Sequence, residues 1–267
     1  MKKTFHLLYE NYSRKSNRYF NSLSLIYNLN MAVKIFPITE DILGGGKIIL
    51  EEMLGDDLTP ARVARISYLS EGDEEANKKL LVKLLESKHL SPFEQQVFRF
   101  KIEDIPMYIG EQLLRHRIAS PLKRSYRFTS PEKGKKIEYT AEKLNKIVHI
   151  PPEFFGLRES DVKDKDRLLN EIVNHIKKSI ELYQELVEKG LRKEAARTIL
   201  PAGLRTSLYW TVNMRSLMNF LDQRLNPKAQ WEIRELAKAV ARILYQVVPL
   251  TIDNYLRISG LYKYYTE

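Results

Sequence analysis

Cysteine is absent from all 267 residues of the chain. This absence excludes disulfide bonds, thiolate metal sites and a cysteine nucleophile, and it fits a reducing compartment. No run of apolar residues approaches the roughly 20 that a membrane-spanning helix needs. We therefore expect a cytoplasmic protein with no membrane partner and no metal site.

Glycine-rich phosphate-binding motifs are also missing. The segment Gly44-Gly45-Gly46-Lys47 lacks the first glycine of a phosphate loop and the Ser or Thr that follows its lysine, so we interpret it as a turn. A Gly-x-Gly-x-x-Gly pattern occurs nowhere in the chain, which leaves a Rossmann dinucleotide site without support.

Acidic residues are outnumbered by basic ones. The chain has 34 Asp and Glu against 44 Lys and Arg, which gives a formal net charge of +10. Such a charge attracts polyanions, a class that includes nucleic acids, membrane surfaces and phosphorylated small molecules. Net charge cannot choose among these partners, so the positions of the cations have to decide.

The chain divides into a short extension and one domain. No apolar core of a signal peptide follows Lys2-Lys3, and we predict that residues 1–30 are an N-terminal extension, dispensable or disordered, before a domain at 31–267. Hydrophobic periodicity indicates long helices and few strands, hence a mixed α/β fold. It predicts helices at about 59–69, 73–87, 106–117, 161–189, 193–200 and 214–225 and from Asn226-Pro227 onward, and strands at about 98–103, 125–129 and 204–212.

A basic stretch from Arg115 to Arg127 is the most informative part of the sequence. Cations held this close repel one another unless an anion compensates them. His116 lies between two arginines and should therefore resist protonation and remain a neutral imidazole. The guanidinium groups suit phosphate oxygens or the carbonyl edge of a flavin. From composition alone, a solvated basic surface is the alternative.

The order of residues in this stretch resembles the signature of flavin-dependent thymidylate synthases. That signature reads Arg-His-Arg, two residues, Ser, one residue, Asn, two residues, Ser, one residue, Arg. Leu122 stands in place of the family's Asn, and Lys123 stands where the family often has Glu. The matching positions are Arg115, His116, Arg117, Ser120, Ser125 and Arg127.

The resemblance continues in order over roughly residues 58–250. It implies a single domain in which long helices pack around a small, largely antiparallel sheet, a mixed α+β arrangement. The other matching segments are His89-Leu90-Ser91-Pro92-Phe93-Glu94, Gln112 before the signature, Ala196 to Pro201, Trp210 to Phe220, Arg224, and Ala229 to Arg234.

Site residues are carried over from the family position by position. Arg224 would be the catalytic residue as well as a contact to dUMP. A fixed cation beside uracil stabilises the negative charge that develops as carbon 5 becomes nucleophilic. His89 would border the folate and nucleotide site. The residues implied for FAD are Ser91, Arg115, His116, Arg117, Asn213, Arg215 and Asn219, and those implied for dUMP are Gln112, Ser125, Arg127, Arg197 and Arg224.

Each of these assignments has a structural alternative. His89 could cap a helix, His116 could be a packed core histidine, and Asn213 and Asn219 could form caps or turns. Ser125 has no adjacent base in the sequence, so we interpret it as a hydrogen-bond donor to the nucleotide and not as a nucleophile.

The resemblance also implies the reaction. The family methylates dUMP to dTMP with methylenetetrahydrofolate as carbon donor, FAD as hydride carrier and NADPH as reductant, and it releases tetrahydrofolate. It works as a homotetramer with shared active sites. These ligands are anionic, so they account for the basic charge without nucleic acid. Two alternatives stay open: a paralogue with the same fold and altered chemistry, because of Leu122 and Lys123, and a basic nucleic-acid-binding protein.

Overall fold

The computed structural model describes residues 33–42, 45–131, 144–149 and 164–266. The extension predicted at 1–30, the start of the helix expected near residue 161, and most of the connection around 130–160 lie outside these ranges. Within the described ranges, no helix has the length and apolar character needed to cross a bilayer.

A five-stranded sheet forms the centre of the molecule. Its strands are β1 (Val33–Asp41), β2 (Lys47–Leu54), β3 (Val97–Pro106), β4 (Ser120–Lys123) and β5 (Arg205–Asn213). They lie in the order β1-β2-β3-β5-β4, and every neighbouring pair is antiparallel. Along β3, Phe98, Phe100 and Ile102 are fully buried, while the alternating Arg99 and Lys101 lie on the opposite, charged face.

Helices cover the apolar face of the sheet. The helix Trp231–Val247 (α7) packs on β1 and β2. The helix Met214–Arg224 (α6) packs on β5, so that Trp210 meets Phe220 with ring centroids 5.2 Å apart. The helices are α1 (Thr59–Ala64), α2 (Glu74–Glu86), α3 (Met107–Leu113), α4 (Lys165–Glu188), α5 (Lys193–Ala196), α6 (Met214–Arg224), α7 (Trp231–Val247), α8 (Pro249–Ile258) and α9 (Tyr262–Thr266), with 3₁₀ turns at Arg65–Tyr68, Ser91–Gln95 and Arg197–Ile199. This architecture confirms the predicted mixed α/β domain with a largely antiparallel sheet.

The prediction of a strand at 125–129 is wrong. Its place is taken by a tight turn, in which the Ser125 carbonyl accepts hydrogen bonds from the backbone N–H groups of Phe128 and Thr129, both at 3.3 Å. The strand instead forms at Ser120–Lys123, on the edge of the sheet, where Pro121 is tolerated because one side of the strand has no neighbour.

Two helix boundaries also differ from the predictions. α3 ends at Leu113, four residues before the predicted end, so the Arg-His-Arg segment follows the helix and does not belong to it. α7 begins at Trp231, because the Asn226 side chain accepts the N–H of Lys228 over 2.9 Å and closes a local turn there.

Candidate active site

The Arg-His-Arg segment forms the turn after α3. A backbone hydrogen bond from Arg115 to the carbonyl of Gln112 extends the helix end into this turn. The turn places His116 in the interior, with 8% of the residue exposed, and its ring meets Phe220 edge-on with centroids 5.0 Å apart. Arg115 and Arg117 remain exposed on either side. The segment therefore presents two cations around one packed imidazole.

His116 and Arg224 are joined by a hydrogen bond across 108 residues of sequence. The Nε of Arg224 donates to the Nε2 of His116 over 3.0 Å, and the Nη2 of Arg224 donates to the backbone carbonyl of Gln112 over 3.4 Å. Arg224 is the last residue of α6, a helix anchored by fully buried Leu217 and Leu221. We call these three residues the Gln112–His116–Arg224 cluster.

The His116 imidazole in this cluster is neutral at physiological pH. Burial, and then the positive charge of Arg224, lower the pKa of His116 to about 4. The direction agrees with the prediction from the sequence, but the cause differs, because the flanking arginines point to solvent. A neutral imidazole whose Nε2 accepts from Arg224 must carry its proton on Nδ1.

Three arginines predicted to bind ligands have open guanidinium groups. Arg115, Arg117 and Arg197 are exposed, and their side chains have no hydrogen-bond or ion-pair partner within the described parts of the chain. A guanidinium without a protein acceptor is free to take an anionic or carbonyl oxygen.

Ser125 and Arg127 occupy the turn that replaces the expected strand. The Oγ of Ser125 accepts the backbone N–H of Arg127 over 3.3 Å. The guanidinium of Arg127 forms an ion pair with Glu194 at 3.2 Å, and both side chains are about half exposed. An exposed pair of this kind contributes little to stability, so Arg127 can exchange Glu194 for a phosphate at small cost.

The residues predicted for the flavin on α6 begin at its N-terminus. Asn213 is the N-cap, and its side-chain oxygen accepts the N–H of Ser216 over 2.9 Å. Asn219 accepts from Gln223 over 3.1 Å. The capping alternative therefore accounts for the oxygen of Asn213, while its side-chain N–H groups make no hydrogen bond among the described residues.

A cleft of about 890 Å³ lies beside the 3₁₀ turn that carries Ser91. His89, Ser91 and Glu94 line one wall of it. Glu94 forms an ion pair with Arg215 at 2.5 Å, which ties this wall to the start of α6. The structure thus brings two separately matched sequence segments into contact, and we call these four residues the His89–Arg215 cluster.

Both departures from the family signature lie on the edge strand β4. Leu122 is 73% exposed. The ammonium group of Lys123 forms an ion pair with Glu111 on α3. Lys123 therefore has a partner within the protein and ties β4 to the helix that carries Gln112.

The predicted site residues fall into separate groups within one chain. Gln112, His116 and Arg224 are in direct contact, and Glu94 links the Ser91 segment to Arg215. Among the described residues, no hydrogen bond or ion pair joins these two clusters to each other or connects Arg127 or Arg197 to either. Glu94 lies in a segment matched to the family, but nothing in the sequence indicated that it pairs with Arg215. Glu111 and Glu194, which pair with Lys123 and Arg127, had no signal in the sequence, because a single Glu does not reveal which distant arginine or lysine it meets.

Comparison with known proteins identifies the family. Residues 49–250 match the family described as thymidylate synthase complementing protein. The flavin-dependent thymidylate synthase of Thermosipho melanesiensis is 36% identical over 220 residues, which cover 82% of this chain and 93% of that protein. The chain belongs to the flavin-dependent thymidylate synthase family. It is therefore a member of a family of enzymes, and the exposed Arg115, Arg117 and Arg197 lie in segments that the family resemblance assigned to ligands.

Further relatives agree with this assignment. A flavin-dependent thymidylate synthase of Thermus thermophilus is 34% identical over 223 residues, covering 80% of this chain and 77% of that protein. A crystal structure of a UMP/dUMP methylase, PolB from Streptomyces cacaoi, bound with 5-Br dUMP, has a TM-score of 0.66 and 23% identity, covering 84% of this chain and 97% of that one. The latter likeness supports the fold.

Proposed function

We propose that this family member converts dUMP to dTMP with methylenetetrahydrofolate as carbon donor, FAD as hydride carrier and NADPH as reductant, and that it releases tetrahydrofolate. The absence of cysteine fits a reducing cytoplasm as the place of this reaction. It also fits a reaction that needs no cysteine nucleophile.

The Gln112–His116–Arg224 cluster is the observation that carries the proposal. The Nε and Nη2 of Arg224 are held by His116 and Gln112, while its Nη1 makes no hydrogen bond among the described residues. The guanidinium is thus fixed on one side and open on the other. Such a cation can hold the negative charge that develops on a uracil carbonyl as carbon 5 becomes nucleophilic.

Two basic residues near α5, Arg127 and Arg197, are suited to bind the nucleotide. Arg197 has an open guanidinium, and Arg127 has an exposed ion pair with Glu194 and lies over the exposed ring of Phe128, 5.3 Å from its centroid. Two guanidinium groups suit a phosphate because each can donate paired hydrogen bonds. We assign Arg127 and Arg197 to the phosphate of dUMP and Ser125 to a supporting hydrogen bond.

The residues present fit a flavin. FAD carries a diphosphate and a ring with carbonyl oxygens, and its bound form supplies hydride transfer. Arg115 and Arg117 offer free cationic donors, Asn213 offers side-chain N–H groups, and the His89–Arg215 cluster borders a cleft. We assign Ser91, Arg115, His116, Arg117, Asn213, Arg215 and Asn219 to flavin binding, with His89 at the folate side.

A homotetramer with shared active sites is part of the proposal. Within one chain, the described contacts do not join the Gln112–His116–Arg224 cluster to the His89–Arg215 cluster. A neighbouring subunit that brings its own copy of one cluster to the other would complete the site. Its small-molecule ligands are anionic, which gives the net charge of +10 a role without nucleic acid.

A dTMP assay with single omissions tests the proposal. The complete mixture contains dUMP, methylenetetrahydrofolate, FAD and NADPH, and the products are separated and quantified. We expect dTMP and tetrahydrofolate in the complete mixture and no dTMP when dUMP, the folate or the reductant is left out. Dihydrofolate as the folate product, or dTMP formation that does not depend on flavin, would contradict it.

A further inference from the structure

The cleft beside the 3₁₀ turn of Ser91 has lining that the flavin and folate assignments leave unused. His89, Ser91 and Glu94 form the part of the lining discussed above. The remaining lining comes from α1, the 3₁₀ turn Arg65–Tyr68 and α2. With about 890 Å³, the cleft lies towards the upper end of the range for small-molecule pockets. It therefore has room for an extended ligand.

This remaining lining combines apolar side chains with positive charge. Val63, Ile66 and Leu80 supply the apolar part, and Ile66 is 79% exposed, so nothing in the described chain covers it. Lys83 and Arg62 supply the positive charges. A ligand that carries an aromatic ring next to carboxylate or phosphate groups matches both kinds of lining.

Lys83 has a free ammonium group within the described parts of the chain. It is exposed, and it forms no hydrogen bond or ion pair there. The other lysines of α2, Lys78 and Lys79, each pair with a glutamate four residues earlier. Lys83 has no such partner, because Lys79 stands four residues before it and Ser87 four residues after it. Its charge is therefore available to an anionic ligand.

Lys83 also lies close in sequence to the residue assigned to the folate side. Ser87 caps α2, His89 follows two residues later, and both line the cleft together with Lys83. Along the helix axis, Lys83 lies about 6 Å from Ser87. A folate carries an aminobenzoyl ring and a glutamate with two carboxylates beyond its pterin. With the pterin at His89, these groups need both an apolar surface and a cation, and this lining supplies them.

We propose that Lys83, supported by Arg62, binds the carboxylates of the glutamate tail of the folate, with the aminobenzoyl ring against Val63, Ile66 and Leu80. The inference rests on the proposed function, since it takes methylenetetrahydrofolate as the carbon donor. Each further γ-linked glutamate adds a carboxylate, so a folate with three glutamates binds more tightly than a folate with one. The diphosphate of FAD is the competing anion for Lys83.

Lys83→Gln tests the inference, because it removes the charge and keeps a long polar side chain. Lys79→Gln is the matched control, since Lys79 is exposed one turn earlier on α2 and does not line the cleft. We expect Lys83→Gln to raise the KM for methylenetetrahydrofolate about two- to fivefold, the range of an exposed ion pair. The increase should be larger for the triglutamate than for the monoglutamate. The KM for dUMP and the dissociation constant of FAD should not change, and the control should behave as the wild type does.

Salt and a conservative variant separate charge from shape. An ion pair in an open cleft is screened by salt, so higher ionic strength should raise the wild-type KM for the triglutamate and narrow its difference from Lys83→Gln. Lys83→Arg keeps the charge and should keep the preference for the triglutamate. A purely structural role of Lys83 would produce neither result.

The outcomes are distinguishable from a failure of the proposed function. Wild-type protein with flavin that forms no dTMP from either folate would overturn both. Wild-type protein that forms dTMP, with Lys83→Gln keeping the wild-type KM for both folates, would overturn the tail site alone. Weaker FAD binding in Lys83→Gln, with an unchanged preference for the triglutamate, would show that Lys83 serves the flavin diphosphate and would likewise overturn the tail site.

Discussion

The Nε of Arg224 lies 3.0 Å from the Nε2 of His116 and donates a hydrogen bond to it. Arg224 is assigned to the uracil of dUMP and His116 to the flavin, so a partly buried contact connects the two ligand-binding sets. This hydrogen bond requires a neutral imidazole, because both ring nitrogens of a protonated histidine are donors and neither can accept. The site therefore depends on burial of His116, which keeps the ring unprotonated.

Replacing Arg224 with Ala should abolish most dUMP methylation while flavin stays bound. A hydrogen bond to a charged group contributes about 1.5–3 kcal/mol, so kcat/KM should fall at least about tenfold. Absorption of the purified variant measures the flavin, and Arg257→Ala, which removes an exposed guanidinium paired with Asp253, is the control. Turnover equal to that of wild type would remove Arg224 from the catalytic role.

The stability of the fold should fall as the pH falls from about 6.5 to 4. His116 has a pKa of about 4 in the folded chain against an ordinary value of 6.5, so in this window the unfolded chain binds a proton that the folded chain does not. The loss from this group is on the order of 1–3 kcal/mol. Denaturant unfolding at pH 7 and pH 5 measures it.

Two histidine variants isolate this effect. In His116→Gln the part of the pH dependence that comes from this ring should disappear. In His175→Gln, which changes an exposed histidine on α4, it should persist. An unchanged pH dependence in His116→Gln would show that other groups account for it.

The sequence predicted the fold class and most helices because those depend on local periodicity. β3 and β5 were also expected, since alternation along residues such as Phe98, Arg99 and Phe100 is a local signal. The turn at Ser125 was missed because aromatic residues and Thr favour strands, while the competing hydrogen bond that the Oγ of Ser125 accepts from the backbone N–H of Arg127 cannot be weighed without coordinates.

The contacts of the site could not be predicted in the same way. Motif spacing identified Gln112, His116 and Arg224 separately, but their hydrogen bonds cross more than 100 residues and depend on how α6 packs against α3. The partner of Lys123 could not be predicted from the sequence either, because Glu111 lies outside the positions that the signature specifies. Long-range pairing is set by tertiary packing and leaves no mark in a single sequence.

The ion pair between Lys123 and Glu111 should respond to charge reversal. Lys123→Glu places a second carboxylate opposite Glu111, which should loosen β4 from α3 and lower Tm by about 2–4 °C, the shift for roughly 1 kcal/mol in a domain of this size. Adding Glu111→Lys restores an opposite pair with the family's usual residue at position 123. Thermal unfolding of the two single variants and the double variant measures the coupling between positions 111 and 123. Additive changes in Tm would show that this ion pair does not hold β4 to α3.

Replacing Leu122 with Asn should leave the fold intact, because Leu122 is 73% exposed and an amide there is not buried without partners. The variant restores the family's residue, and one added hydrogen bond of about 0.5–1.5 kcal/mol would tighten FAD by up to roughly tenfold. Titration of FAD into apo wild type and variant compares the affinities. Weaker binding in the variant would mean that this site uses Leu122 itself.

A single-turnover experiment tests whether the reduced flavin of this enzyme drives the methylation of dUMP. The flavin of the purified enzyme is reduced without oxygen, excess reductant is removed, and dUMP with methylenetetrahydrofolate is added while dTMP and the flavin absorbance are followed together. We expect dTMP to appear as the flavin is reoxidised, with about one dTMP per flavin. A reduced flavin that persists in the presence of both substrates, with no dTMP formed, would contradict it.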